Sequence, residues 1–160
     1  MNTETQQSIK PERPVPVPLA AEDLDEVEVL ARTIYGEARG ETVAGKEAVA
    51  AVIINRVKRA RKSGGTYWWG RCIKTVCLKP WQFSCWNRND PNRNKILEVG
   101  KTNRNFQICL RIARRAIACG LKDRTQGATH YHTRSVDPIW SRGRMFAVEI
   151  GHHQFYNNVE

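Results

Sequence analysis

Hydrophobic residues recur at helical spacing in three segments of the chain. The first, from Leu24 to Tyr35, carries an apolar side chain every three or four residues and is followed by a glycine. The second, from Val43 to Val57, is apolar almost all round, which is typical of a buried central helix. The third runs from Phe106 to Ile117. The pattern predicts three helices and places Glu37 at the C-terminal edge of the first.

The remaining segments lack this periodicity. Residues 1 to 20 contain alternating prolines, which favour an extended, disordered Pro-rich tail, so the folded domain is predicted to span residues 21 to 160. Residues 66 to 95 are rich in Trp, Asn, Pro and Gly, and they predict a long structured loop with short elements. Residues 128 to 132 and 145 to 150 have the composition of short strands joined by a loop.

Composition limits the class of protein. A chain of 160 residues, 41% hydrophobic and 26% charged, fits one folded domain and excludes a fibre or a wholly disordered chain. No apolar run approaches the ~20 residues that span a bilayer. The first residues lack the basic and apolar regions of a secretory signal, so we expect synthesis in a cytoplasm and release by another agent if the target lies outside.

The chain is strongly basic, with 26 Lys and Arg against 16 Asp and Glu, which gives a formal charge of +10. This balance predicts attraction to polyanions without choosing among nucleic acid, anionic lipid headgroups and other anionic polymers. Much of the charge lies in the run from Arg56 to Lys62 and in Arg111, Arg114 and Arg115. Each run has the pattern of a solvated helical face.

Five cysteines are present, and no two of them form a CxxC pair. The zinc-ribbon spacings are therefore missing, and a cytoplasmic origin favours free, mostly buried thiols. One disulfide within the group Cys72, Cys77 and Cys85 is left open.

Glu37 lies in the motif Tyr-Gly-Glu-Ala-Arg-Gly-Glu and is the first candidate for chemistry. Cleavage of a glycosidic bond needs a carboxylic acid that stays protonated near neutral pH. A Glu at a helix end beside Tyr35 and other apolar groups can have its pKa raised by desolvation. The alternative is an exposed glutamate, or one paired with Arg39.

Residues 81 to 86, Trp-Gln-Phe-Ser-Cys-Trp, suit a sugar-binding cleft, because aromatic faces stack on pyranose rings while amides bind hydroxyls. The alternative is a hydrophobic cluster that fixes the loop. His130 and His132 form an H-x-H pair on a predicted strand, and His153 could complete a zinc site with them. Histidines in such positions are more often cleft or packing residues.

These segments together resemble the cell-wall hydrolase family of the spore-cortex-lytic enzymes (the SleB/CwlJ type). The resemblance is carried by residues 31 to 41 (ARTIYGEARGE) and 50 to 57 (AAVIINRV). It covers roughly residues 27 to 156, and the later matching pieces follow in the same order: 82–84, 127–132, Trp140 and 151–156.

The resemblance implies an α+β, mainly helical, lysozyme-like domain with a small antiparallel sheet. It implies that Glu37 is the catalytic acid and that no cofactor or metal is needed. The expected substrate is the glycan strand of peptidoglycan, bound by a monomer. The residues expected to bind this substrate are Tyr35, Gln82, Phe83, Ser84, Thr129, His130, Tyr131, His132, Trp140 and His153.

Two products are compatible with a single acid. Without a second carboxylate, the muramyl 6-hydroxyl attacks and an anhydro end forms; with one, water is added, and Glu41, Asp137 and Glu149 are the candidates. The alternative function on the same substrate is a zinc-dependent N-acetylmuramoyl-L-alanine amidase. A more distant alternative is a basic nucleic-acid-binding module, whereas the primary interpretation expects no specific nucleic acid as partner. The small leaderless domain is typical of a phage or prophage lysin, and the run from Arg56 to Lys62 is predicted to dock on anionic envelope polymers or lipid headgroups.

Overall fold

The structure is a computed structural model that describes residues 20 to 160. The predicted Pro-rich tail lies outside the described residues, except for Ala20. Five helices and three strands follow in chain order: α1 (Glu26–Ala38), α2 (Val43–Lys62), α3 (Ile73–Leu78), α4 (Asn92–Glu98), α5 (Arg104–Ile117), β1 (His130–Thr133), β2 (Val148–Ile150) and β3 (His153–Tyr156). The three predicted helices are confirmed as α1, α2 and α5.

Side-chain caps set the starts of the long helices. Asp25 accepts a hydrogen bond from the backbone N–H of Glu28 at 2.8 Å, and Asn103 accepts one from Phe106 at 3.0 Å. The first helix begins two residues later than Leu24, because Ala21–Asp23 forms a separate 3₁₀ turn. At the other end, α2 continues through the basic run to Lys62, where cations suit the negative end of the helix dipole.

Helix α1 is the element around which the helical part packs, since it contacts α2, α3, α4 and α5. Its buried residues include Leu30 and Ile34, which lie in one core with Ile53 of α2, Phe106 of α5 and Trp69. Helix α2 is mostly buried as predicted, and it also contacts the sheet. None of the helices in residues 20 to 160 combines the length and apolar character needed to cross a membrane.

The long segment between α2 and α5 is irregular but well anchored. It contains α3, a 3₁₀ turn at Ser84–Trp86 and α4, which confirms the predicted structured loop with short elements. The indole Nε1 of Trp86 donates to Thr33 Oγ1 of α1 at 2.9 Å. This contact holds the 3₁₀ turn against the helix that carries Glu37.

The three strands form an antiparallel sheet in the order β1-β3-β2. Only two strands were predicted; the third, β3, lies in a polar, Gly-interrupted segment. Alternation of side chains gives the sheet two faces. The inner face packs on α2 and carries Tyr131, His153, Phe155, Val148 and Ile150; the outer face carries His130, His132, Gln154, Tyr156 and Glu149.

Candidate active site

Glu37 lies in the last turn of α1, where the sheet and the Ser84–Trp86 turn approach the helix. The hydroxyl of Tyr131 donates to Glu37 Oε2 at 2.8 Å. Cys85 contacts the same helix so closely that a Cβ at position 36 would lie 2.8 Å from both its Cβ and its Sγ. Only glycine at position 36 therefore allows the turn to reach the carboxylate.

The surroundings of Glu37 favour the neutral acid. Burial raises the pKa of Glu37, hydrogen bonds from Tyr131 and Cys85 lower it, and the charge of Asp90 raises it, so the net direction is upward. The C-terminal end of α1 adds a negative partial charge that also disfavours the carboxylate. Arg39 does not neutralise it: the guanidinium donates to Gly36 O and Asn92 Oδ1.

Tyr131 stays a hydrogen-bond donor over a wide pH range. Burial, followed by the charge of Glu37, raises the pKa of Tyr131 well above its usual value of 10. A phenol that donates to Oε2 leaves the acidic proton of neutral Glu37 on Oε1. The proton is then held on a defined oxygen.

Arg56 is a site residue that the sequence analysis assigned to an exposed basic run. Its side chain is buried, with Nε donating to Thr129 O at 2.7 Å and Nη1 to Gln82 Oε1 at 3.1 Å. Burial lowers the pKa of Arg56 to about 10, so it remains charged at neutral pH. Its position four residues after the buried Val52 was the sequence signal, since i and i+4 share a helix face.

Three predicted binding residues follow one another before α4 but differ in accessibility. Gln82 is partly exposed and accepts from Arg56, and Ser84 is exposed at the start of its turn. Phe83 is only 2% exposed, and the Arg56 guanidinium lies 5.3 Å from its ring centroid. Phe83 thus supports Arg56 and has no free face for a sugar.

Tyr35 also has a packing position. Its ring meets Phe106 of α5 edge-on at 6.0 Å, and the Arg39 guanidinium lies 5.7 Å from its centroid. Residues two apart point to different sides of a helix, so Tyr35 and Glu37 do not share a face of α1. The structure places Tyr35 between two helices.

The outer face of the sheet forms an aromatic and imidazole wall. Trp140 lies with its ring centroid 5.1 Å from His130 and 5.6 Å from His132. His132 Nε2 is 2.9 Å from the Tyr156 hydroxyl, and His130 Nδ1 is 3.0 Å from Thr129 Oγ1. Burial, with the charges of Arg56 and Arg144, lowers the pKa of His130 to about 4, so this imidazole is neutral at pH 7.

His153 belongs to the other face. It pairs with Thr133 in the sheet register, and its ring lies 4.9 Å from that of Tyr131. The three candidate zinc ligands His130, His132 and His153 therefore do not converge. Within residues 20 to 160, no group of three His, Cys, Asp or Glu side chains has the geometry to hold a metal ion. The predicted zinc alternative lacks its ligand set.

The three candidate second carboxylates have other partners. Glu41 contacts His152 Nδ1 at 2.9 Å and lies against Gly151, while the exposed Asp137 pairs with Arg142. Glu149 lies on the outer face and pairs with Arg134. The carboxylate whose charge acts on Glu37 is Asp90, which the sequence analysis missed. It lines a surface cavity of about 640 Å³ that also contains Trp81, Trp86 and Asn87.

The five cysteines are free thiols, and Cys77, Cys85 and Cys109 are buried. The predicted free thiols are thus present, and the disulfide left open among residues 72, 77 and 85 is not formed in this structure.

The chain thus forms a mainly helical domain with a three-stranded antiparallel sheet, and it carries a partly buried, hydrogen-bonded glutamic acid at the end of α1. Comparison with known families adds the class of protein: the family of cell wall hydrolases matches residues 40–156, and the chain belongs to it. Glu37 lies three residues before the matched range, so its assignment depends on the geometry above. The chain is therefore a member of an enzyme family that is described as cell wall hydrolases.

Individual relatives agree with this family. The chain is 30% identical over 151 residues to a spore cortex-lytic enzyme of Halalkalibacterium halodurans, covering 91% of this chain and 38% of the relative. The chain thus spans well under half of that relative's length.

Two solved structures have the same fold. The catalytic domain of the Bacillus cereus SleB protein matches with a TM-score of 0.62 and 25% identity, over 92% of this chain and 99% of that one. The catalytic domain of the germination-specific lytic transglycosylase SleB of Bacillus anthracis matches with a TM-score of 0.62 and 25% identity, over 89% and 99%. The mainly helical fold with a small antiparallel sheet is confirmed.

Proposed function

We propose that the chain cleaves the glycosidic bond between N-acetylmuramic acid and N-acetylglucosamine in peptidoglycan, with Glu37 as general acid. The observation that carries the proposal is a partly buried carboxyl group with a raised pKa, held by the Tyr131 hydroxyl at 2.8 Å. Such a group remains protonated closer to neutral pH, as a glycosidase acid must. Support for the substrate comes from membership in the cell wall hydrolase family and from the SleB relative described as a lytic transglycosylase.

In the first step, the proton on Glu37 Oε1 passes to the glycosidic oxygen while the bond from that oxygen to the muramyl C1 breaks. The leaving N-acetylglucosamine keeps the proton as a hydroxyl, and positive charge develops at C1. Tyr131 continues to donate to Oε2 and stabilises the carboxylate as it forms. Arg56 remains charged, and the charge of Glu37 raises the pKa of Arg56, which means that the two charges attract each other. The guanidinium therefore also stabilises the carboxylate as it forms.

In the second step, the muramyl 6-hydroxyl attacks C1 and its proton returns to Glu37. This restores the acid and leaves a 1,6-anhydro end. The step needs no second carboxylate, which agrees with the engagement of Glu41, Asp137 and Glu149 elsewhere. Asp90, whose charge raises the pKa of Glu37, is the candidate for activating water in a hydrolytic variant of the reaction.

The proposed sugar-binding wall is formed by Trp140 and His132 beside β1, the edge strand that also carries the Glu37 partner Tyr131. Trp140 and His132 are partly exposed there, and neutral His130 lies beneath them. Aromatic faces and uncharged hydrogen-bonding groups suit N-acetylated sugars. Gln82 and Ser84 supply accessible polar groups, whereas Thr129 is buried and supports His130 through its hydroxyl.

The test is a Glu37→Gln variant assayed on purified peptidoglycan. Gln keeps the volume and still accepts from Tyr131, but it has no proton to give. General acid catalysis contributes ~10²- to 10⁴-fold, so the release of soluble fragments is expected to fall by at least that order.

The matched control is Glu26→Gln, which makes the same change at an exposed position in the first turn of α1 and is expected to keep near-normal activity. A folded Glu37→Gln protein that releases fragments at the wild-type rate contradicts the proposal.

A further inference from the structure

One stretch of the chain is basic without any acidic residue. Residues 58 to 79 contain no Asp or Glu and seven basic side chains, namely Lys58, Arg59, Arg61, Lys62, Arg71, Lys74 and Lys79. Arg56, just before this stretch, is buried in the candidate site and does not belong to the surface. None of the ion pairs within residues 20 to 160 involves the seven. Their charges are therefore not neutralised by an ion pair, although the Lys74 ammonium donates to the backbone carbonyl of Glu22 and the Arg59 guanidinium lies 5.5 Å from the Tyr67 ring centroid.

Two tryptophans are exposed beside these charges. Trp68 is 49% exposed and Trp81 is 84% exposed, whereas Trp69 and Trp86 are buried. Trp81 has a φ of 67°, in the left-handed region that bulky residues rarely adopt. A large aromatic side chain held in solvent by an unfavourable backbone conformation is a feature that packing does not explain.

The exposed tryptophans and the basic residues share one surface. A groove of about 480 Å³ is lined by Tyr67, Trp68, Lys74, Leu78, Lys79 and Pro80. Leu78 and Pro80 also line the neighbouring cavity that contains Trp81. We call the region formed by Trp68, Trp81, Lys74, Lys79 and the exposed Arg71, which follows the groove-lining Gly70, the Trp–Lys surface.

We infer that the Trp–Lys surface docks on an anionic lipid bilayer. Lysine and arginine side chains attract anionic headgroups, and the amphipathic indole ring is suited to the interface between headgroups and acyl chains. A polyphosphate would use the charges but not the indoles, and an uncharged glycan would use the indoles but not the charges. The combination therefore favours a surface with both phosphate charge and an apolar interior.

The Trp–Lys surface does not include Glu37, although Trp81 lines the cavity that Asp90 also lines. It lies on α3 and the segments that flank this helix, whereas Glu37 is enclosed by the end of α1, Tyr131 and Cys85. The inference does not depend on the role proposed for Glu37. Docking would hold the enzyme at a membrane without altering the acid.

The experiment measures sedimentation of the full chain with vesicles at physiological ionic strength. Vesicles of phosphatidylcholine mixed with phosphatidylglycerol are compared with vesicles of phosphatidylcholine alone. The wild type is expected to sediment with the mixed vesicles and to show a blue shift of its tryptophan fluorescence. Arg71→Glu with Lys79→Glu is expected to reduce the partition coefficient by about ten-fold or more.

A second variant tests the indoles independently of charge. Trp68→Ala with Trp81→Ala is expected to lose the blue shift and to weaken vesicle binding several-fold. The matched charge control is Arg111→Glu with Arg114→Glu, which makes the same change on the exposed side of α5. The apolar control is Met145→Ala, at a residue 85% exposed. Both controls are expected to bind like the wild type.

Three results overturn the inference. Equal loss in the α5 control means that overall charge alone attracts the protein. Wild-type binding by the double tryptophan variant means that the indoles have no part. Binding to soluble polyphosphate without binding to mixed vesicles identifies a polymer as the partner.

Cleavage of soluble glycan fragments separates this inference from the catalytic proposal. Arg71→Glu with Lys79→Glu is expected to cleave them at the wild-type rate while vesicle binding falls. If Trp81→Ala instead weakens this cleavage and leaves vesicle binding intact, Trp81 belongs to the substrate cleft and the inference is wrong. Failure of the wild type to cleave glycans, with vesicle binding intact, contradicts only the proposed function.

Discussion

The two faces of the small sheet have different contacts, and the four-residue strand β1 contributes side chains to both of them. On the inner face, Tyr131 packs against His153 and Phe155 and reaches Glu37 with its hydroxyl. On the outer face, His130 and His132 lie under Trp140. Alternation along β1 therefore separates the residue that controls the acid from those that face the proposed sugar wall.

This separation explains why the histidines of the motif His-Tyr-His do not converge with His153 in the described residues, 20 to 160. The two histidines share a face, but the third candidate, His153, is fixed on the opposite face by its register with Thr133. The tyrosine between the histidines is the residue that touches the catalytic candidate. The role of each residue in β1 therefore follows from the face of the sheet on which its side chain lies.

The largest effect on this comparison is expected from Tyr131→Phe. Loss of a hydrogen bond contributing ~1.4 kcal/mol to transition-state stabilisation corresponds to a roughly ten-fold lower kcat/KM. The Tyr131 bond lowers the pKa of Glu37, so its removal raises that pKa further. Because the acid must be protonated, the high-pH limb of the activity profile is expected to move to higher pH. The measurement is the pH dependence of kcat/KM on soluble glycan fragments.

The control for this change lies on the neighbouring position. His132→Phe introduces the same ring on the outer face and is expected to leave the high-pH limb in place. A limb that moves equally in both variants contradicts the assignment of Tyr131 to Glu37.

A smaller effect is expected from His132→Ala. This change removes the partner of the Tyr156 hydroxyl and one side of the Trp140 contact, so binding of the glycan is expected to weaken by a few-fold in KM. The kcat is expected to remain near the wild-type value, since the acid is untouched. Steady-state kinetics separate the two parameters, and a selective fall in kcat would place His132 in the chemistry instead.

The smallest effect concerns stability. Burial raises the folded-state pKa of Glu37 above its unfolded value, so its contribution to stability is complete at low pH and is lost as pH rises through the folded-state pKa. Glu37→Gln, which cannot ionise, is expected to have a higher Tm than the wild type at pH 7 and a similar Tm at pH 4. Thermal unfolding followed by circular dichroism provides the measurement. A Tm of Glu37→Gln that lies below the wild-type Tm at pH 7, with similar values at pH 4, would contradict this prediction.

The sequence predicted the helical part of the fold well because periodic burial is a local signal. The spacing from Leu24 to Tyr35 placed α1 and brought Glu37 to its end. Strand β3 was missed because it follows Gly151 and begins with His153 and Gln154, which do not form an apolar alternation. A single strand between polar turns has little local signal.

The features of the site that the sequence did not predict depend on distant contacts. Tyr131 was predicted to bind substrate, but its hydrogen bond to Glu37 joins residues 94 positions apart in the chain. Cys85 reaches the acid only because position 36 lacks a Cβ, and a single sequence does not show which loop comes close. Arg56 was assigned to a solvated run, although its helical position already placed it on the buried face. The phage or prophage origin stays a prediction.

The most direct test of the central claim is mass spectrometry of the fragments released from purified peptidoglycan by the wild-type protein. Glycosidic cleavage by a single acid at Glu37 predicts muropeptides that end in 1,6-anhydro-N-acetylmuramic acid, with stem peptides still attached. Reducing muramic ends would move the second step to water and a second carboxylate, for which Asp90 is the candidate. Freed stem peptides with intact glycan strands would contradict the account.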